Sequence, residues 1–368
     1  MKKGRDAVFD SGMKTIIMKN IYSNLLHEIK KGTPLVLATI VAAEGSTPQV
    51  PGVSALFSTG SLVTGTLGGG ILEADALKRS QTALQDQVSR LYRFSLDEGE
   101  NDEEGAVCGG AVQVILDAVP EKHVEAFVRM KGELEARRPG ILLTHIEAAA
   151  GDRVSLSRFW VGGNEDLSGT PAEGIGGLTS QIEKSLSRNI PFLKSRSDRE
   201  WLFFEPVIPS PRLIIAGAGH IGRALSHLGS LLDFEVTVID DREDFANRKR
   251  LPDADHIIVD DIARAVSQIP GTSDTFFVIV TRGHRYDEAV LKECIGSGAA
   301  YIGMIGSRNK IAHAKKNALE KGWATKELWQ KIHTPIGLPI LSKTVEEIAV
   351  SIAAELVLVR RQHQEEGA

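Results

Sequence analysis

The chain has 368 residues, 42% hydrophobic and 25% charged, with 36 glycines; this is globular composition and more chain than one ordinary core absorbs, so at least two domains are expected. A formal net charge of −5 provides no global attraction to nucleic acid or an anionic membrane, and neither is expected as a partner. Apolar runs such as Leu35 to Ala43 fall short of the ~18 residues that span a bilayer, and Met1-Lys-Lys-Gly-Arg-Asp6 has no hydrophobic signal core after it, which points to the cytoplasm.

In chain order, short β-rich runs come first: Leu35 to Val41, Ser54 to Ser58, Leu62 to Thr66, Ala111 to Leu116, Ile141 to Ile146 and Val154 to Trp160. Two helices are expected among them, Leu72 to Val88 and Glu121 to Arg137, and Gly162 to Gly177 reads as a surface loop. This half is α+β. Three prolines within Glu205-Pro-Val-Ile-Pro-Ser-Pro211 exclude helix and remove ladder donors, so the domain junction is placed there, between domains at 14–205 and 211–368. Downstream, strands and helices alternate: Arg212 to Ala216, a helix near Ile221 to Leu232, Glu235 to Ile239, His256 to Val259, Thr275 to Val280, a helix over Asp287 to Gly296, and Tyr301 to Met304. That order predicts a doubly wound parallel sheet, an α/β architecture. A last helix over Val345 to Arg360 carries an apolar stripe at Ile348, Ile352, Leu356 and Val359 and ends in basic residues that suit a helix C-terminus.

Leu213-Ile-Ile-Ala-Gly217-Ala-Gly219-His220-Ile-Gly222 is a strand, a GxGxxG turn and a helix start, and Asp240 closes the next strand 23 residues after Gly217. Such a turn lets a pyrophosphate approach the backbone and the helix amides, while Asp240 could accept from a ribose hydroxyl and would favour NAD over NADP by repelling a 2′-phosphate. The bland alternative is that the glycines serve tight strand–helix packing and no nucleotide binds. Two further loops follow strands of the same sheet, Thr281-Arg282-Gly283-His284-Arg285-Tyr286-Asp287 and Ile305-Gly306-Ser307-Arg308-Asn309-Lys310. His220, Arg282, His284 and Arg308 are expected to converge on one crevice and to favour an anionic ligand; otherwise they are solvated loop charges.

In the first half, Gly65-Thr66-Leu67-Gly68-Gly69-Gly70-Ile71-Leu72-Glu73 lies between a strand and a helix, where successive amides can form an anion-binding concavity or merely a tight turn. Ser46, in Glu44-Gly45-Ser46-Thr47-Pro48, offers a hydroxyl. Cys108 precedes Gly109 and Gly110 and is sterically approachable, yet six carboxylates between Asp97 and Glu104 would raise its thiol pKa. It reads either as an approachable thiol whose positive field comes from a ligand and the loop amides, or as a small buried hydrophobe. Cys294 reads as core. The histidines form no ligand-spaced pair, so no metal site built from protein ligands is expected, and no serine elbow or P-loop is present.

Together, Gly45-Ser-Thr-Pro48, Gly68-Gly-Gly-Ile-Leu-Glu73, Cys108-Gly-Gly110, Ala216-Gly-Ala-Gly-His220, Thr281 to Asp287, Tyr301 to Arg308, Ile336-Gly-Leu-Pro339 and Lys343 to Ser351 resemble the XdhC/CoxI family of xanthine dehydrogenase accessory proteins over roughly residues 20 to 360. Gln49 stands where many members have arginine. The resemblance implies an N-terminal XdhC/CoxI-type α+β domain, a C-terminal Rossmann-like domain, and a chaperone that binds molybdenum cofactor (molybdopterin or its dinucleotide form) rather than an enzyme. It implies delivery of sulfurated cofactor to a xanthine dehydrogenase-type molybdenum hydroxylase, with a cysteine desulfurase as a further partner and a homodimer as a plausible state. By resemblance, Cys108 matches the cysteine implicated in cofactor handling, the glycine loop and the GxGxxG crevice are candidate cradles, and no residue is assigned a catalytic role. The alternative, carried by Gly217 to Asp240, is an NAD(P)-binding oxidoreductase.

Overall fold

A computed structural model of the protein describes residues 21–95, 110–163, 167–175 and 177–366. Cys108, Gly109 and the acidic run 97–104 lie outside the described residues, as do 164–166 and 176 of the expected 162–177 loop. The chain divides into two compact units between Pro209 and Ser210.

The first unit runs α1 (Ile21–Lys30), β1 (Val36–Gly45), β2 (Ser54–Ser58), β3 (Ser61–Gly65), α2 (Gly70–Asp86), β4 (Arg90–Ser95), β5 (Gly110–Asp117), α3 (Val124–Glu135), β6 (Gly140–Ala148), β7 (Val154–Gly162), α4 (Leu178–Arg188), β8 (Phe192–Ser197) and β9 (Glu200–Val207). Its strands form two antiparallel sheets, ordered β3-β2-β1-β5-β4 and β7-β6-β9-β8. Alternation along β1 explains the layering: Val36, Ala38 and Ile40 pack with Leu72, Ala76 and Ala83 of α2, whereas Val41 joins Ile115, Ile146, Val154 and Phe203 between the sheets. Each such buried aliphatic side chain contributes ~1.5–3 kcal/mol relative to exposure. α4 covers the outer face of the second sheet, with Leu178 against Ile141, Leu143, Leu202 and Phe204.

Polar groups also enter the inter-sheet layer. Arg158 donates to Asp117 (Nε to Oδ2, 3.2 Å) and to Thr144 (Nη1 to Oγ1, 2.9 Å), and the Tyr22 hydroxyl lies 2.7 Å from each oxygen of Glu205. Burial drives the Glu205 carboxyl up to about 7, against the lowering pull of the Tyr22 hydrogen bond and the Arg158 charge.

The division between the units falls within the proline-rich stretch 205–211, although β9 continues into it through Pro206 to Val207, with Ile141 opposite Pro206. β8 begins at Phe192, opposite Phe204, so Pro206 lies past the end of β8 and no ladder donor is required of it on that side.

The second unit runs β10 (Arg212–Ala216), α5 (His220–Leu231), β11 (Glu235–Asp240), β12 (His256–Val259), α6 (Ile262–Ser267), β13 (Thr275–Ile279), α7 (His284–Cys294), β14 (Tyr301–Met304), α8 (Arg308–Glu320), α9 (Lys326–Gln330) and α10 (Val345–Glu366). The strands make one parallel sheet, ordered β12-β11-β10-β13-β14, a Rossmann-like doubly wound arrangement. One face is covered by α5 and α10 through Leu225, Ile352, Leu356 and Val359, the other by α6 to α9 through Val266, Val290, Cys294, Ala318 and Trp329. Strand order reverses between β10 and β13, and in such sheets the ligand crevice opens at the carboxyl ends of these two strands.

Candidate functional site

In the first unit, sheet register brings the sequence motifs to one end. Gly45 at the end of β1 pairs with Gly110 at the start of β5, and β3 reaches the same end at Gly65, just before the glycine loop that opens α2. A Cβ on Gly110 would lie 2.5 Å from the Ser46 carbonyl oxygen, and one on Gly68 would lie 3.0 Å from Pro48. These glycines therefore let the 46–49 loop lie against both neighbours.

Gly69 and Gly70 hold φ of 72° and 58°, and a Cβ on either would meet nothing within 4 Å. Their left-handed backbone requires glycine, while the space beyond them stays open. Among the described residues, no side chain caps α2 and none accepts from the amides of Gly69, Gly70 and Ile71. The helix dipole adds partial positive charge at that point. Glu73 does not face outward as a ligand: its Oε2 accepts from the Thr66 hydroxyl (2.8 Å) and the Leu67 amide (3.0 Å), while the Gly68 amide donates to Thr66 Oγ1. The loop is thus held from behind. Ser46 is exposed, and Arg93 at this end is paired with Glu44 at 2.8 Å. Anion attraction here would come from backbone dipoles. Cys108 and Gly109 precede Gly110 in the sequence and lie outside the described residues.

In the second unit, the three fingerprint glycines separate by cause. A Cβ on Gly217, at φ 117°, would stand 2.6 Å from the Val280 carbonyl oxygen, and one on Gly222 would collide with the Gly217 carbonyl. Gly219 has an ordinary φ of −67°, and a Cβ there would meet nothing within 4 Å. Close backbone approach, to the segment after β13 for the first glycine and between turn and helix for the third, explains these two and leaves the second without an internal reason. An open position at the N-terminus of α5 fits the close approach of a phosphate.

Asp240 is placed otherwise than a free ribose acceptor. Its Oδ2 accepts from the Ala218 amide at 2.8 Å, and the Arg242 side chain grips both oxygens, Nε to Oδ1 at 2.8 Å and Nη2 to Oδ2 at 2.9 Å. Burial would raise this carboxyl, but the guanidinium and the two backbone amides outweigh it and hold it below the ordinary carboxylate range. Ribose contact would require Arg242 to let go.

His220, His284 and Arg308 are the first residues of α5, α7 and α8, at the carboxyl edge of adjacent strands β10, β13 and β14. All three are exposed and make no hydrogen bond or ion pair among the described residues. Arg282 is engaged: it reaches from the loop after β13 to Asp241, after β11 (2.8 Å), and to the Tyr286 hydroxyl (2.7 Å). It therefore crosses the glycine turn that follows β10.

Three residues to which the sequence analysis gave no role, Asp287, Lys310 and Arg242, organise this edge. Asp287 is buried and accepts from the Thr281 amide (3.1 Å), the Thr281 hydroxyl (2.5 Å) and Lys310 Nζ (2.5 Å), tying the loop after β13 to the start of α8. Arg242 also stacks on Phe245, 3.8 Å from the ring centre. An arginine two residues after the strand-ending acid was the available signal for the Asp240 grip; nothing in the periodicity marks the Asp287–Lys310 pair.

The XdhC and CoxI family model matches residues 28–95, and the XdhC Rossmann domain model matches residues 213–356. A probable xanthine dehydrogenase subunit of Bacillus subtilis (strain 168) is 25% identical over 350 residues, 94% of this chain and 99% of that protein. Uncharacterized protein YqeB of Escherichia coli (strain K12) is 23% identical over 93% of this chain, which spans 46% of YqeB. A crystal structure of a xanthine dehydrogenase from Bacillus halodurans matches with a TM-score of 0.73 at 26% identity, covering 92% of this chain and 95% of that one.

Proposed function

Because the chain belongs to the XdhC and CoxI family, we propose that it works with a xanthine dehydrogenase-type molybdenum hydroxylase in the cytoplasm, binding molybdenum cofactor and delivering it in sulfurated form. The observation that carries this reading is the glycine loop at Gly68–Gly70: a pre-shaped turn whose outer amides have no acceptor among the described residues and where a Cβ on Gly69 or Gly70 would meet nothing within 4 Å. Such a concavity suits the phosphate of a pterin cofactor. In this reading Gly69 and Gly70 hold the phosphate, Ser46 adds a hydroxyl, and Cys108 offers a soft thiol to molybdenum. A cysteine desulfurase supplies the sulfur. The cofactor is cargo, and its chemistry belongs to the hydroxylase.

The test is to incubate the protein with molybdenum cofactor, remove free ligand by gel filtration, and quantify retained pterin by its fluorescence after oxidation. Near-stoichiometric retention that is lost in Cys108→Ala and in Gly70→Asp is expected. Equal retention by the parent and both variants, or retention by none, would overturn the reading.

Gly219 favours a second assignment, that the Rossmann-like unit binds a phosphate-bearing nucleotide, either NAD(P) or the nucleotide half of a dinucleotide cofactor. An NAD(P)-dependent oxidoreductase is the alternative function this leaves. Calorimetric titration with NAD, NADP and a pterin dinucleotide separates these ligands, and absence of heat with all three would remove the assignment.

A further inference from the structure

The first unit also carries a groove of about 470 Å³, lined by Gln181, Lys184, Ser185 and Arg188 of α4, by Ile190 and by the first three residues of β8. We propose that this groove binds an extended acidic segment of a partner protein, added as a further strand on β8.

Four observations carry the assignment. β8 is the last strand of its sheet and is paired on one side only, by β9. The other side of the groove is α4: Asn189, at φ 52°, ends this helix, and the Ser185 hydroxyl donates to the Ile190 carbonyl (2.7 Å), pinning the turn that brings the chain straight back as β8. An edge strand beside a helix is the arrangement in which extended peptides dock, main-chain bonds supplying affinity and alternate side chains supplying selectivity. The floor is apolar, with Phe192 stacked on Phe204 at 4.5 Å and Ile190 left 55% exposed.

The rim decides the charge of the occupant. Among the described residues, Lys184, Arg188 and Lys194 line the groove without an ion pair or side-chain hydrogen bond, and no carboxylate joins them in the lining. In a chain of net charge −5 this is a local reversal of sign. Lysines on an edge strand ordinarily discourage pairing with a like strand. A second copy of this chain would set Lys194 against the same residue of its partner, placing like charges across the ladder, whereas Arg196 is already paired with Glu200 at 2.9 Å. A strand with carboxylates at alternate positions turns that repulsion into attraction. β8 has six residues, so the segment recognised is of similar length, about 20 Å when extended. The assignment does not depend on cofactor binding.

The test is fluorescence anisotropy of the full chain with labelled ten-residue peptides: glutamate alternating with threonine and valine, the same peptide with lysine for glutamate, and the acidic peptide N-methylated at alternate amides. The acidic peptide is expected to bind, the basic and N-methylated peptides to bind at least tenfold more weakly, and the exposed double reversal Lys184→Glu with Arg188→Glu to invert the charge preference. Circular dichroism shows whether that variant retains its fold, and Lys194→Glu serves as an independent reversal. Failure of the acidic peptide to bind at millimolar concentration, equal binding of the N-methylated peptide, or insensitivity to both charge reversals would overturn the proposal. So would a sedimentation-detected dimer that the acidic peptide fails to dissociate and that charge reversal abolishes, since the occupant would then be a second copy.

Discussion

Arg242 is folded back onto Asp240, gripping both carboxylate oxygens at 2.8 and 2.9 Å while its guanidinium lies on the face of Phe245. The acid that the fingerprint offers to a ribose is held inside the protein by the residue two places later.

Arg242→Ala should therefore release Asp240. NAD affinity is expected to rise about tenfold, the worth of one charge-assisted hydrogen bond, with no gain for NADP, whose 2′-phosphate the freed carboxylate repels. Calorimetry with both dinucleotides decides it; an unchanged NAD affinity would place the ribose away from Asp240.

Gly219→Ala and Gly217→Ala should part company. Gly219 has an ordinary φ and open space, so alanine there leaves the melting temperature within about 1 °C of the parent, yet nucleotide binding drops at least tenfold if a phosphate sits against it. Gly217, at φ 117° and facing the Val280 carbonyl, should lose on the order of 2 kcal/mol, read as a fall of several degrees. Equal stability losses would mean that the packing reading covers all three glycines.

Glu205 should make the first unit less stable as pH rises. Its folded pKa of about 7 lies above the ordinary 4.5, so its contribution is complete below about pH 4.5 and is lost as pH climbs through 7, when the buried carboxyl must ionise. The shift corresponds to roughly 3 kcal/mol across that window. His123 acts in the opposite direction, because burial lowers its pKa and protonation below about pH 6.5 costs stability. The readout is accordingly the difference between the parent and Glu205→Gln in urea midpoints at pH 5 and pH 8. A pH slope that survives in Glu205→Gln would assign it to another group.

Glu73 should matter through its shape more than its charge. Glu73→Ala removes the acceptor for Thr66 Oγ1 and the Leu67 amide and should cost about 1–2 kcal/mol and weaken pterin retention, whereas the amide oxygen of Glu73→Gln can still accept both bonds and should preserve most of each. Chemical denaturation and the gel-filtration assay report the two effects. Loss of retention in Glu73→Gln with stability intact would instead give the carboxylate a direct part in binding.

The second unit was the more legible half because parallel strands buried on both faces read as unbroken apolar runs, as in Leu213-Ile-Ile-Ala216 and Thr275-Phe-Phe-Val-Ile279. In the first half, β4, β8 and β9 were not anticipated: β4 and β8 are edge strands whose charges, as in Phe192-Leu-Lys-Ser-Arg-Ser197, break the alternating pattern, and β9 runs into the proline-rich stretch at Pro206. α8 escaped notice since its buried face is made of small residues, Ala314 and Ala318. Within the candidate sites, glycines were visible because they are grouped in short spaced motifs between a strand and a helix. The grip of Arg242 and the Asp287–Lys310 pair were not, since side-chain partnerships across loops leave no period in the sequence.

The place of β9 bears on how the nascent chain matures. β9 is the last strand of the first unit to be synthesised, yet it lies between β6 and β8. The β6–β7 hairpin can form early from local pairing, but the other edge of β6 has no neighbour until residues 200–207 have left the ribosome. For about fifty residues of translation the growing chain therefore presents the apolar edge Ile141-Leu-Leu143 unpaired, and this interval is where a chaperone or a competing chain has its opportunity.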